Sequence, residues 1–238
     1  MYIPLQFEQP SVEVMQQLMR DRSLATVVTI ASDGINANHI PLYFLELPLP
    51  YGVLGHVARS NPIWRDFEAN TDVLAIFHGP DAYISPSWYA TKLETGKVVP
   101  TWNYTVVHAY GALRIVDDPV WIRAQLEALT AQNEAGFSKP WAVSDAPHDF
   151  TEKLIESIVG IEIAISRLSG KWKVSQNQPQ QNRACVVQAL NTLGQREGAE
   201  MAALINSGIG KQLDDGKRLI KHVLPLSGQI RIFKIPRQ

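Results

Sequence analysis

The sequence predicts a mainly β protein with helices (α+β), a closed or split β-barrel carrying peripheral and C-terminal helices. Three observations predict it. Apolar runs of strand length recur over residues 24–116 and 160–174, and hairpin signals such as Asp33-Gly34 separate them. No alternating strand–helix–strand series occurs, which disfavours a parallel doubly wound sheet. Six or so antiparallel strands with helices around them fit a barrel, which removes exposed strand edges.

Taken in order, Ser11 caps a first helix running to Arg22, with Val14, Met15 and Leu18 at helical spacing. Leu24 to Ile30 is a β-branched strand, and after Asp33-Gly34 the return strand is expected over Asn38 to Leu45. Tyr51 to Val57 is the third strand. Asn61 then caps a short helix with Pro62 in its first position, carrying Ile63 to Ala69. Asp72 to His78 is the fourth strand, which Ala82 to Ser85 continues or pairs with. Asn103 to Val116 is a long β run bent near Gly111. Pro119 opens a helix with Ile122, Leu126 and Leu129 on one face, and a loop over 134–147 leads to a helix from His148 to Ser157. A strand pair is expected at Gly160 to Arg167 and Lys171 to Val174. Helices then start at Pro179, running to Leu193, and at Glu197, running to Ile205. The expected organisation is a barrel domain over 1–178, a helical segment over 179–205 and an extension over 206–238.

Composition narrows the class. Of 238 residues 45% are hydrophobic, as in ordinary globular proteins, and no apolar run reaches the roughly 20 residues of a membrane helix. The single cysteine, Cys185, rules out an intrachain disulfide framework; with a start that lacks signal-peptide features, the expectation is a cytoplasmic protein without a membrane anchor. Charge is unevenly spread. Residues 206–238 hold seven Lys or Arg against two Asp, a net of +5, so the preceding 205 hold 15 basic and 21 acidic groups, a net of −6. A contact with DNA therefore falls to a local patch, with Lys171, Lys173, Arg183 and Arg196 as candidates, or to the tail. The tail ends in an alternating run, Gln229 to Ile235, which reads as an added strand more than as a solvated arm.

Most chemical motifs are missing. Gly208-Ile209-Gly210 lacks the third glycine of a dinucleotide fingerprint, and Gly216-Lys217 lacks the rest of a phosphate loop. There is no Gly-x-Ser-x-Gly elbow, and the six histidines form no His-x-x-x-His pair. What stands out is His78 to Tyr89 with Val99 to Tyr104, which hold prolines 80, 86 and 100 and five Trp or Tyr residues. Prolines fix the backbone and aromatic rings offer flat apolar faces, which suits a planar ligand; the same aromatics equally suit the core of a sheet. His56 and Arg59 beside the Asn61-Pro62 helix start resemble an anion site, and Lys171-Trp172-Lys173-Val174-Ser175-Gln176-Asn177 puts cations and amides at the end of the last strand.

Together, His56-Val57-Ala58-Arg59-Ser60-Asn61-Pro62-Ile63-Trp64, the run Phe77 to Tyr89, Val98 to Tyr104, His108-Ala109-Tyr110-Gly111 and the run Lys171 to Asn177 resemble the PaiB family, over about residues 1–205. The resemblance implies an FMN-binding split β-barrel, related to pyridoxamine-phosphate-oxidase-like proteins, that forms a homodimer with sites at the subunit interface. It also implies a negative transcriptional regulator, acting on DNA directly or through another regulator; a flavin-dependent oxidoreductase acting on a small molecule is the alternative. The FMN-binding residues expected are His56, Arg59, Asn61, Ser87, Trp88, Tyr89, Thr101, Trp102, Asn103, Lys171, Ser175, Gln176 and Asn177. Arg59, supported by Lys171, is expected at the phosphate, and Trp88 or Trp102 against the ring. No metal site is expected.

Overall fold

The computed structural model describes residues 1–45 and 51–208. The expectations for the tail, including the strand-like run Gln229 to Ile235, lie outside these residues. In chain order come β1 (Glu8–Gln9), α1 (Val12–Asp21), β2 (Leu24–Ala31), β3 (Gly34–Pro41), β4 (Tyr43–Leu45), β5 (Gly52–Ala58), β6 (Val73–Ile84), α2 (Lys92–Thr95) and β7 (Thr101–Val116). They are followed by α3 (Pro119–Glu134), α4 (His148–Glu156), β8 (Ile158–Lys173), α5 (Gln180–Leu193) and α6 (Arg196–Ser207).

All strand pairs are antiparallel. The ladder order is β3-β2-β6-β7-β8-β5-β4, and β1 adds to the second half of β8, Glu8 opposite Lys171. The two ends of the ladder meet inside. Ile40 of β3, Val27 of β2, Phe44 of β4 and Val53 and Val57 of β5 share one buried cluster with Phe77, Val107, Ile161 and Ile163. A sheet whose first and last strands fill one core is rolled into a barrel. Each such side chain removed from water stabilises the fold by about 1.5–3 kcal/mol.

Helices close the barrel where the sequence places them. Ser11 caps α1, its Oγ accepting from the Val14 N–H at 3.2 Å, and Met15 and Met19 are buried beneath. α3 lies over β5 and β8, with the Trp121 ring against Gly160. α5 and α6 contribute Val186, Leu190, Met201, Ala202 and Ile205 to the barrel's own cluster.

Three expectations change, and one open alternative, that Ala82 continues the fourth strand, is met. The return strand starts at Gly34, four residues early, and breaks at Leu42 so that β4 can pair with β5. Only Pro62–Trp64 coils after Asn61, as a single 3-10 turn. β6 runs unbroken to Ile84 across a bulge between His78 and Asp81, carrying Ala82 with it. The expected strand pair after α4 is one 16-residue strand, β8. The expected break at 168–170 is strand; a Cβ on Gly170 would sit 2.7 Å from the Met15 sulfur, so the glycine marks the close approach of α1.

Candidate functional site

Side chains alternate along β7: Asn103, Thr105, Val107 and Ala109 are buried, whereas Trp102, Tyr104, His108 and Tyr110 lie on the outer face. At the first end of β7 the inward side is polar. There the start of β7, the end of β8, the chain before α1 and the first turn of α5 enclose a cleft of about 450 Å³. Phe7, Tyr89, Val98 and Val99 give it apolar walls, and Lys97, Thr101, Asn103, Lys173, Ser175, Asn177, Gln178 and Asn182 supply polar groups.

These groups are held in place. Asn103 is buried and donates from Nδ2 to Ser175 Oγ at 2.8 Å. Ser175 takes a left-handed backbone, φ 61°, which lets the Gln178 N–H reach its carbonyl at 2.9 Å. Gln176 braces the turn, accepting from the Val174 N–H at 2.7 Å and donating to the Gln6 carbonyl at 3.0 Å. Lys173 Nζ donates to Thr101 Oγ1. Asn182 joins α5 to the loop after β6 through Thr91, accepting from its N–H at 3.2 Å. Burial pushes the Tyr89 hydroxyl above its ordinary pKa.

A second polar cluster lies at the far end of β8. His56 pairs through Nδ1 with Gln125 Oε1 at 2.9 Å. Asn61 caps the 3-10 turn by accepting from the Ile63 N–H at 3.0 Å, and its amide donates to Asn38 Oδ1 at 2.8 Å. Arg59 donates to both Asp117 oxygens and to the carbonyls of Glu156 and Ile158, so four of its five N–H donors are engaged.

Between the clusters the outer sheet face carries aromatic rings and cations. Tyr83 and Trp102 meet edge to face at 5.8 Å, and both are about half exposed. Arg167 stacks 3.5 Å from the Tyr110 ring, and Lys171 lies 5.2 Å from Tyr104 while donating to the Tyr2 carbonyl at 3.2 Å. Burial, the N-terminal amine, His78 and Arg167 together hold His108 below the ordinary imidazole pKa.

Of the expected residues, the structure brings Tyr89, Thr101, Asn103, Ser175 and Asn177 to one cleft, with Gln176 bracing it. Ser87 and Trp88 sit nearby in the 3-10 turn Pro86–Trp88; Ser87 accepts from Lys92, and Trp88 borders a shallow groove with Cys185. Trp102 and Lys171 face the outer sheet. His56, Arg59 and Asn61 are at the other end of β8, where His56 lies opposite Gly160 whereas Lys173 lies opposite Tyr104. Sequence reasoning missed Lys97, Thr91 and Asn182 as cleft residues. Lys173 stood in a noted motif, but only the fold turns it toward Thr101.

A family model described as "Putative FMN-binding domain" matches residues 1–167. Protease synthase and sporulation protein PAI 2 of Bacillus subtilis is 32% identical over 213 residues, 90% of this chain and 100% of that protein. The chain belongs to the PaiB family of FMN-binding-domain proteins. An uncharacterized protein of Emericella nidulans is 36% identical across 86% of this chain and 96% of its own. Solved structures share the fold of this PaiB-family chain at low identity. A conserved hypothetical protein from Mycobacterium tuberculosis aligns with TM-score 0.52 and 11% identity over 76% of this chain and 95% of its own. The FAD and heme binding protein from Mycobacterium smegmatis aligns with TM-score 0.50 and 16% identity over 70% and 73%. These neighbours share the split-barrel architecture. Among the described residues no helix is long and apolar enough to cross a membrane.

Proposed function

We propose that the protein is an FMN-binding homodimer that serves as a negative regulator of transcription, with each flavin held between two subunits. One observation carries this reading: the two expected clusters lie at opposite ends of β8 and are separated by an outer face of half-buried and exposed aromatic rings. The 16 residues of β8 amount to a contour of roughly 50 Å, so one flavin cannot reach both ends in one chain. An isologous pairing through the outer face brings the Asn61 end of one subunit to the Lys171 and Trp102 end of the other, twice. Such a site fits FMN chemically: exposed aromatic faces suit the ring, and Lys171, with no carboxylate partner among the described residues, suits the phosphate. Arg59 serves this site by fixing the β5 end through Asp117.

The test is an absorbance spectrum of the purified full chain, with sedimentation at low micromolar concentration. One flavin per chain at twice the chain mass is expected; a flavin-loaded monomer would remove the shared site. The regulatory half of the reading is supported by family membership and tested by gel shift on a promoter fragment and a scrambled control. Of the candidate cations, Arg196 pairs with Glu200 and Lys171 is assigned to the flavin phosphate, which leaves Lys173, Arg183 and the tail for a direct DNA contact. A second reading, a flavin-dependent oxidoreductase, is favoured by the cleft beside Lys173, which has room for a substrate. Anaerobic bleaching of the flavin by NADH or NADPH, with turnover in air, would select it.

A further inference from the structure

We infer that the cleft between β7, β8 and α5 is a binding site for a small organic anion. Its carboxylate or phosphate lies against Lys173 and the first turn of α5, and its apolar body lies on Phe7, Tyr89 and Val98. Five residues expected at the flavin, Tyr89, Thr101, Asn103, Ser175 and Asn177, line this cleft, so the inference rests on the reading that places the flavin at the subunit interface instead.

Charge is the first argument. The chain holds 23 Asp and Glu against 22 Lys and Arg, yet none of the described residues lining the cleft is acidic, and two are lysines. Neither Lys97 nor Lys173 pairs with a carboxylate among the described residues. Thr101 Oγ1 holds the Lys173 ammonium and leaves its other donors for a ligand.

A buried amide at the cleft wall is the second. Asn103 is 1% exposed and lines the cleft, and Ser175 Oγ is the one side-chain partner of its amide. A serine hydroxyl donates or accepts equally well, so the Asn103 amide can turn its NH2 group to an anion while Ser175 donates to its oxygen.

The third argument is the helix end. α5 has 14 residues, its N-cap Pro179 makes no side-chain cap bond, and Gln178, Pro179 and Asn182 bring its first turn to the cleft wall. That end of a helix favours negative charge. A volume of about 450 Å³ suits a metabolite-sized molecule.

The experiment is calorimetric titration of the full chain, flavin-loaded and flavin-free, with two probes in separate arms: inorganic phosphate and benzoate. One site per chain is expected, occupied alike in both forms, and tighter benzoate binding identifies a carboxylate ligand with an apolar body. Lys173→Gln should weaken the preferred probe about tenfold, Lys173→Arg should restore most of it, and Lys92→Gln, outside the cleft, should change nothing. Unchanged thermal midpoints for these exposed or half-exposed lysine variants exclude misfolding as the cause. Saturable binding of neither probe, indifference to Lys173→Gln, or one-for-one displacement by FMN would overturn the inference. A protein that takes up no flavin but binds benzoate would instead sink the flavin reading alone.

Discussion

Arg59 and Asp117 form a two-pronged ion pair, Nη2 to Oδ1 at 2.7 Å and Nη1 to Oδ2 at 3.0 Å. The same guanidinium donates to the Glu156 and Ile158 carbonyls, so one side chain fastens the end of β5 to the entries of α3 and β8. Both side chains are partly in water, which screens the charge attraction and leaves the geometry of the bonds as the main contribution.

Arg59→Ala is therefore expected to lower the thermal midpoint and to weaken FMN and riboflavin by similar factors, because it loosens the strand end that bears Asn61. Parallel titrations of the two flavins check this. A loss confined to FMN would put the flavin phosphate on Arg59 itself.

Two groups lower stability on the acid side, in successive windows. Asp117 is held below the ordinary carboxylate range by the Arg59 hydrogen bonds, so its stabilisation is present above the unfolded pKa and is lost as pH falls through the folded one. His108 is held below 6.5, chiefly by burial and then by the N-terminal amine, His78 and Arg167. The unfolded chain binds the proton first, so stability is full above about 6.5 and declines as pH falls from there. Melting curves between pH 8 and 5 should show this decline in the parent and a flatter profile in His108→Gln; equal slopes would refute it.

Much of the fold was legible because local chemistry and tertiary structure agree. Ser11, Asn61 and Pro119 open their coils where expected, and Asp33-Gly34 turns a hairpin. The break expected at 168–170 has a tertiary reason for its absence, since Gly170 stands in the strand to admit Met15. The site was legible in part for a similar reason. Asn103 and Ser175 share a motif-level signal, but their 2.8 Å bond spans 72 residues of chain. Asn182, in the first turn of the helix expected from Pro179 to Leu193, gave no sign that it reaches Thr91. Nor could spacing alone show that the two polar clusters sit at opposite ends of one strand.

Gly111 tests the bend shared by β7 and β8. The register shifts there, and a Cβ would lie 2.0 Å from the Ala164 carbonyl oxygen, a backbone atom that cannot step aside. Gly111→Ala should cost about 3 kcal/mol or more, measured by urea unfolding. A variant within about 0.5 kcal/mol of the parent would mean that the strands separate easily at the bulge.

Ser175 offers a finer test, because two effects of similar size oppose each other there. Its φ of 61° costs an L residue about 1–2 kcal/mol, which glycine escapes. Its hydroxyl pairs with the buried Asn103 amide, and losing that bond costs about 1–3 kcal/mol whichever residue replaces it. Ser175→Ala loses the bond and keeps the strain, so it should fall by the full cost of the unpaired amide. Ser175→Gly loses the same bond but relieves the strain, part of which returns as extra freedom of the unfolded chain. The glycine variant should therefore be more stable than the alanine variant by about 1 kcal/mol, with both at or below the parent. Urea midpoints at a common slope decide the order. An alanine variant as stable as the glycine one would show that the left-handed turn relaxes once the Asn103 bond is gone, and that this bond is what imposes the turn on the end of β8.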